Sequence, residues 1–215
     1  MSLPDCIRRG ITFAVIALLL AGCGSVPTTK SGKNKDAVGP DGKPLQYADV
    51  PPKALTMYEQ AVAVMASGDV VDAELRLQEF LLQYPDYPGA HVNLAIIFAS
   101  RGDDAAAAAS IADALTIDRN YAPALNQQGM LLRRQGDFVE SEAAYLKAVT
   151  VDPDYALAHY NLGVLNELYM QRLDVALQHF ERYQALTGED KQVTKWIADL
   201  QRRLGNSRRT ANVTE

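Results

Sequence analysis

Ala61, Ala95, Gly129 and Gly163 stand 34 positions apart, one small residue at each step. A fixed period of this length marks a chain built from stacked supersecondary units, each a helix, a tight turn and a second helix. In such arrays each unit contacts mainly its neighbours. The period therefore points to an all-α solenoid before any residue chemistry is considered. It also moves the question from which reaction to which partner, because such arrays present extended surfaces.

Other positions keep the same step. Gly68, Gly102 and Gly136 recur, each followed by an aspartate, Asp69, Asp103 and Asp137. A glycine after an apolar helix can take the left-handed conformation that ends it, and the aspartate is a good N-cap for the helix that follows. Asp137 and Glu140 have capping-box spacing. Asp86, Asn120 and Asp154 precede the next first helices and are expected to cap them, and Pro88 and Pro123 suit a first helical turn. Ala73, Ala107 and Ser141 complete the small-residue pattern, where a large side chain would overpack the helix contact.

On these residues the chain resembles the tetratricopeptide repeat family. In the third unit Gln128-Gly129, Leu132, Ser141, Tyr145, Ala148 and Pro153 fall on that family's Leu-Gly, Tyr, Ala, Phe/Tyr, Ala and Pro positions, and Leu162-Gly163 match in the fourth. The resemblance implies four repeats, 54–87, 88–121, 122–155 and 156–190. Departures cluster at the ends: Phe80 and Tyr183 replace a small residue, and the fourth turn (Tyr169-Met170-Gln171-Arg172) has one extra residue and no glycine. After the array, Val193, Trp196, Ile197, Leu200 and Leu204 share one helical face. They predict a capping helix over 191–205, stopped by Gly205, with 206–215 as a polar disordered tail.

The N-terminus carries a second signal. Arg8 and Arg9 precede an apolar run from Ile11 to Leu20. The run is too short to span a bilayer, which takes about 20 residues, and it fits the apolar region of a signal peptide. It ends in Leu20-Ala21-Gly22-Cys23, which resembles the bacterial lipobox, so residues 1–22 read as a lipoprotein signal peptide and Cys23 as the lipidated first mature residue. Cys6 lies in the removed segment, which leaves no cysteine for disulfides or zinc. Gly24 and Ser25 follow Cys23 where an Asp would favour inner-membrane retention, so the resemblance implies outer-membrane sorting, on the periplasmic face. Residues 24–51 are rich in Ser, Thr, Lys, Gly and Pro and cannot bury enough apolar surface to fold alone. The linker expected over 23–53 is a tether with a mean reach of about 30 Å.

The net charge is −5 over 215 residues, and −6 once 1–22, with Arg8, Arg9 and Asp5, is removed. A mildly acidic chain without a basic face argues against nucleic acid. His91, His159 and His179 are scattered, with no paired metal-ligand spacing. There is no phosphate-cradling glycine loop and no nucleophile elbow. No metal or cofactor is expected, and the chain does not read as an enzyme. His91 and His159 share one repeat position and read as packing residues.

In the family it resembles, the first helices line a concave groove. The resemblance implies that Tyr58, Val92, Asn126 and Tyr160 form one ladder there. Val62, Ile96, Met130 and Val164 form a wholly apolar central one, and a third ends in Arg133 and Glu167. An apolar ladder on an exposed face suggests a groove for apolar side chains, taking a peptide or an amphipathic helix. The expectation is a lipid-anchored, non-catalytic scaffold that binds a protein partner in the bacterial envelope, with pilus or secretion assembly as the specific setting. The alternative is a docking factor for peptidoglycan enzymes or proteases.

Overall fold

The computed structural model describes residues 50–213, and side chains as far as Asn206. The expected signal peptide, Cys23 and the expected tether as far as Asp49 lie outside the described residues. The described residues form nine helices and no strand: α1 Pro52–Ser67, α2 Val70–Gln83, α3 Pro88–Ser100, α4 Asp104–Ile117, α5 Ala122–Gln135, α6 Phe138–Val151, α7 Ala156–Leu168, α8 Leu173–Thr187 and α9 Lys191–Val213. The fold class is the all-α helical-repeat array expected from the period.

The chain divides into two compact units, one ending at Phe80 and the other beginning at Leu81. In the first, Ala54, Ala61, Ala73, Leu77 and Phe80 are fully buried. In the second, α3 packs on α4, α5 on α6 and α7 on α8. Successive pairs join through α4 with α5 and α6 with α7, and the first helices also touch, α3 with α5 and α5 with α7. The last helix, α9, packs on α8.

The periodic small residues face the large side chain at the middle of the partner helix. Ala95 clusters with Ile111. A Cβ on Gly129 would lie 2.6 Å from the Tyr145 ring, and one on Gly163 would lie 2.6 Å from the Phe180 ring. Both distances are well inside van der Waals contact, so the ring rests on bare backbone. The choice at this position thus follows its neighbour, alanine against the aliphatic Ile111 and glycine against the two rings. Ser141, fully buried, donates from Oγ to the Gly129 carbonyl at 2.8 Å and adds a polar contact to the same crossing.

The turns repeat too, with corrections. Gly68, Gly102 and Gly136 have φ of 91°, 79° and 92°, and the Gly68 and Gly136 amides bond back to Met65 and Arg133. Asp69 and Asp103 accept from the amides of Asp72 and Ala106. Asp137 makes no side-chain cap, so the capping box with Glu140 is not formed. Asp86, Asn120 and Asp154 are not the caps of α3, α5 and α7 either. Tyr87, Tyr121 and Tyr155 occupy those positions without side-chain bonds. The turns are instead tightened from further upstream, where Asp118 and Asp152 accept from the amides of Asn120 and Asp154. Gly205 does not end α9, which continues through the expected tail to Val213; the glycine adopts no left-handed angle and so gives no stop.

In the fourth turn the extra residue is absorbed at Gln171, whose φ of 55° makes it the one non-glycine with positive φ among the described residues. The Met170 amide bonds to Leu165 and the Arg172 amide to Asn166. A non-glycine residue held left-handed costs roughly 1–2 kcal/mol.

Two stability outcomes follow from these contacts. Gly163→Ala drives a methyl into the Phe180 ring, an overpacking cost of about 1–3 kcal/mol that exceeds the roughly 1 kcal/mol gained in helix propensity. Urea unfolding should show a net loss, and adding Phe180→Leu should recover part of it, giving a favourable coupling in the double-mutant cycle. Gln171→Gly should raise stability by up to about 1 kcal/mol. An unchanged midpoint would mean that the left-handed turn is unstrained.

Candidate functional site

The expected groove residues all lie on the first helices, Tyr58 and Val62 on α1, Val92 and Ile96 on α3, Asn126, Met130 and Arg133 on α5, and Tyr160, Val164 and Glu167 on α7. The structure separates them into three groups.

Val92 and Asn126 are not available to a ligand. Val92 is 5% exposed and packs with Ala114 and Ala124. Asn126 is 1% exposed, and its Oδ1 accepts from Asn161 Nδ2 at 2.9 Å. These positions hold one first helix to the next. A buried, hydrogen-bonded amide pair fixes the register of α5 against α7, because breaking it strands a polar group in the interior.

Tyr160, Val164 and Glu167, on α7, are partly buried, and α9 reaches two of them directly, Tyr160 through Trp196 and Glu167 through Arg203. Tyr160 and Val164 pack against the cluster of Ala176, Phe180, Val193, Ile197 and Leu200. The Trp196 ring lies 6.0 Å from Tyr160 and 5.4 Å from Phe180. Glu167 accepts from Arg203 Nη1 at 3.2 Å. Burial among these rings raises the Tyr160 phenol above its ordinary pKa, so it stays protonated. The sequence placed a capping helix here. It did not show that Trp196 and Arg203 of that helix would reach Tyr160 and Glu167.

The remaining expected residues divide between the two units. Ile96 and Met130 are half-buried, Ile96 against Val92, Ala114 and Ala124, and Met130 against Tyr145, Leu162 and Leu165. Beside them Arg133 is half-buried, and its Nη1 is buried without a hydrogen-bond acceptor. In the first unit, Val62 is 37% exposed, while Tyr58 is half-buried against Phe80, with ring centroids 5.6 Å apart. Arg134, next in the chain, is occupied: it donates to the Ala99 carbonyl at 2.8 Å and pairs with Asp104.

The histidines hold turns. His91 Nε2 lies 3.2 Å from the Pro85 carbonyl, and His159 Nε2 lies 3.1 Å from the Pro153 carbonyl. The intermediate unit has Arg119 and Leu125 at these two positions, so proline and histidine come and go together. That joint recurrence was the signal that packing alone overlooked. Among the described residues no helix is long and apolar enough to cross a membrane, and no three His, Cys, Asp or Glu side chains are grouped as metal ligands would be.

Comparison with known proteins agrees with this architecture. Residues 58–122 match the family described as tetratricopeptide repeat, and residues 129–168 match the one described as TPR repeat. No curated protein matches the sequence. Among solved structures, the chain is similar to Pseudomonas aeruginosa pilF, at 24% identity and a TM-score of 0.64, over 71% of this chain and 69% of that one. It is similar to TTC0263, a thermophilic TPR protein of Thermus thermophilus, at 21% identity and 0.60, over 71% and 84%. MamA follows at 19% identity and 0.55, over 67% and 84%. At these identities the likeness is one of fold. Stacked helix pairs, small residues seated on large ones at a 34-residue period, and two family matches along the array show tetratricopeptide repeats over residues 58–122 and 129–168.

Proposed function

We propose that this protein is a non-catalytic scaffold of the bacterial envelope, tethered through Cys23 to the periplasmic face of the outer membrane, that binds a peptide or amphipathic helix of a protein partner. The observation that carries the binding reading is the set of partly open residues on adjacent first helices, Ile96 on α3 with Met130 and Arg133 on α5. Its apolar side chains are only half-buried, and a guanidinium nitrogen is withdrawn from water with no acceptor. The residue as a whole is only partly buried, and a carbonyl or carboxylate on a bound segment would pair with the open part of the guanidinium. Apolar anchors beside one directional charge suit an extended peptide or a helix face. The pilus or secretion setting rests on the fold-level likeness to pilF and on nothing in these residues. The membrane reading rests on Leu20-Ala21-Gly22-Cys23.

The binding reading is tested by crosslinking in envelopes, comparing the natural chain with Ile96→Glu plus Met130→Glu and with Arg133→Ala. The glutamates should abolish the crosslinked species, and the alanine should weaken it, with circular dichroism confirming that both variants stay folded. A folded double variant that keeps every crosslinked species removes these residues from the binding site. Anchoring is tested separately. Cys23→Ala should abolish incorporation of labelled fatty acid and move the protein to the soluble fraction, and continued acylation would overturn the lipobox reading.

A further inference from the structure

His159 on α7 and His179 on α8 face each other with their Nδ1 atoms 3.1 Å apart, ring centroids 5.3 Å apart and planes at 39°. The far nitrogen of His159, Nε2, lies 3.1 Å from the Pro153 carbonyl. A carbonyl can only accept, so His159 carries its proton on Nε2 and presents a bare Nδ1. The facing His179 Nδ1 must then be the donor. The two rings meet over a single proton, and the tautomer of each follows from the other's neighbour. A second proton on this contact would set two N–H donors, and two charges, against each other.

We infer that the His159–His179 pair is an acid-sensitive latch that closes the fourth helix pair at neutral pH and opens it when a second proton is taken up. The elements around it define its surroundings. Arg182 of α8 donates to Asp154 at 2.6 Å and points toward the same Pro153 carbonyl, while Asp152 and Asp154 belong to the turn between α6 and α7. The two carboxylates favour a proton on His159, and Arg182 opposes it. Burial is the largest influence and lowers the His159 pKa below its ordinary value, against the bond to the Pro153 carbonyl and the two carboxylates. His179 is lowered to about 4, by burial first and His159 second. The latch reaches further than its own pair. Phe180, next to His179, seats on Gly163 and packs with Trp196 of α9. Loosening α8 therefore also loosens the cap from Tyr160 and Val164.

The direction of the pH effect follows from proton counts. The unfolded chain binds a proton at His179 as pH falls through about 6.5, whereas the folded chain holds off until about 4. The contribution is complete above pH 6.5 and is lost progressively toward pH 4. One withheld proton shifts the unfolding equilibrium about tenfold per pH unit, roughly two orders of magnitude across this window.

The test uses the full chain. Long-range proton–nitrogen NMR at pH 7 should find His159 protonated on Nε2 and His179 on Nδ1. Both rings protonated on Nε2 would overturn the latch whatever the stability data show. Urea unfolding between pH 7 and pH 4 should then compare the natural chain with His179→Asn, whose amide can still donate to His159 Nδ1 but cannot titrate. The natural chain should lose roughly a hundredfold more in its unfolding equilibrium than the variant. Equal losses in the two would show that the pair does not sense acid. Should the variant fail to fold, an NMR pH titration of the natural chain decides the matter, because His179 should stay neutral until about pH 4 and protonation near pH 6.5 would overturn the latch.

Discussion

The array depends on how closely two helices of a pair can approach, and that is set by one small residue against one large one. At Gly129 and Gly163 the partner ring occupies the space where a Cβ would be. This draws Tyr145 and Phe180 to the centre of their pairs, where both are among the largest fully buried side chains. Tyr145 is buried deeply enough that its phenol is pushed up to about 12, so it is neutral at any pH at which the protein would be folded. Alanine at position 95 meets the smaller Ile111. Volume is conserved across each crossing although the residues differ, which is what close-packed interiors demand. With that distance set, the turns, the inter-pair contacts and the placing of the first helices follow.

Much of this was legible because a repeat prints the same constraint several times. One glycine before an aspartate says little, but three at a fixed step mark Gly68, Gly102 and Gly136 as left-handed turns, and all three are. The features that escaped are those that occur once or depend on two distant residues. Gln171 takes a left-handed angle because the fourth turn has a residue to absorb, and Gln has no intrinsic preference that would announce it. The capping aspartates were misplaced for a related reason. Asp86 and Asp154 each stand near a helix start, yet the chain enters the helix one residue later, at a tyrosine. Spacing gives the neighbourhood of a helix start, and only the backbone path gives the cap. The His159–His179 contact joins a repeat position to a residue without periodic counterparts, so no step along the sequence could reveal it.

The site was read less well than the fold, and the reason is physical. Family resemblance places a residue on a helix face, but whether that face is open depends on what the next helix brings. Val92 and Asn126 are closed by their neighbouring helices, and Tyr160 and Glu167 are each contacted from α9. A stack of amphipathic pairs must end somewhere, and its last apolar face has to be sealed. Val193, Ile197 and Leu200 do this for α7 and α8. The sealing helix packs on α8 and reaches α7 through Trp196 and Arg203, so part of the last rung is taken up by the cap.

That loss sharpens what the remaining residues can do. Asn126 and Asn161 lock α5 to α7 through a buried bond, and the Arg134 bond to the Ala99 carbonyl ties α5 back to the end of α3. The helix bearing Met130 and Arg133 is thus fixed on both sides by directional contacts, whereas apolar packing alone would tolerate small slides. In the proposed reading, a partner segment meets a half-buried apolar strip with its cation already in place, and little ordering remains for the moment of binding. In that same proposed reading, specificity would come from matching the position of one charge relative to two apolar side chains. A partner with the right composition and the wrong spacing would leave Arg133 without its acceptor and would bind less tightly for it.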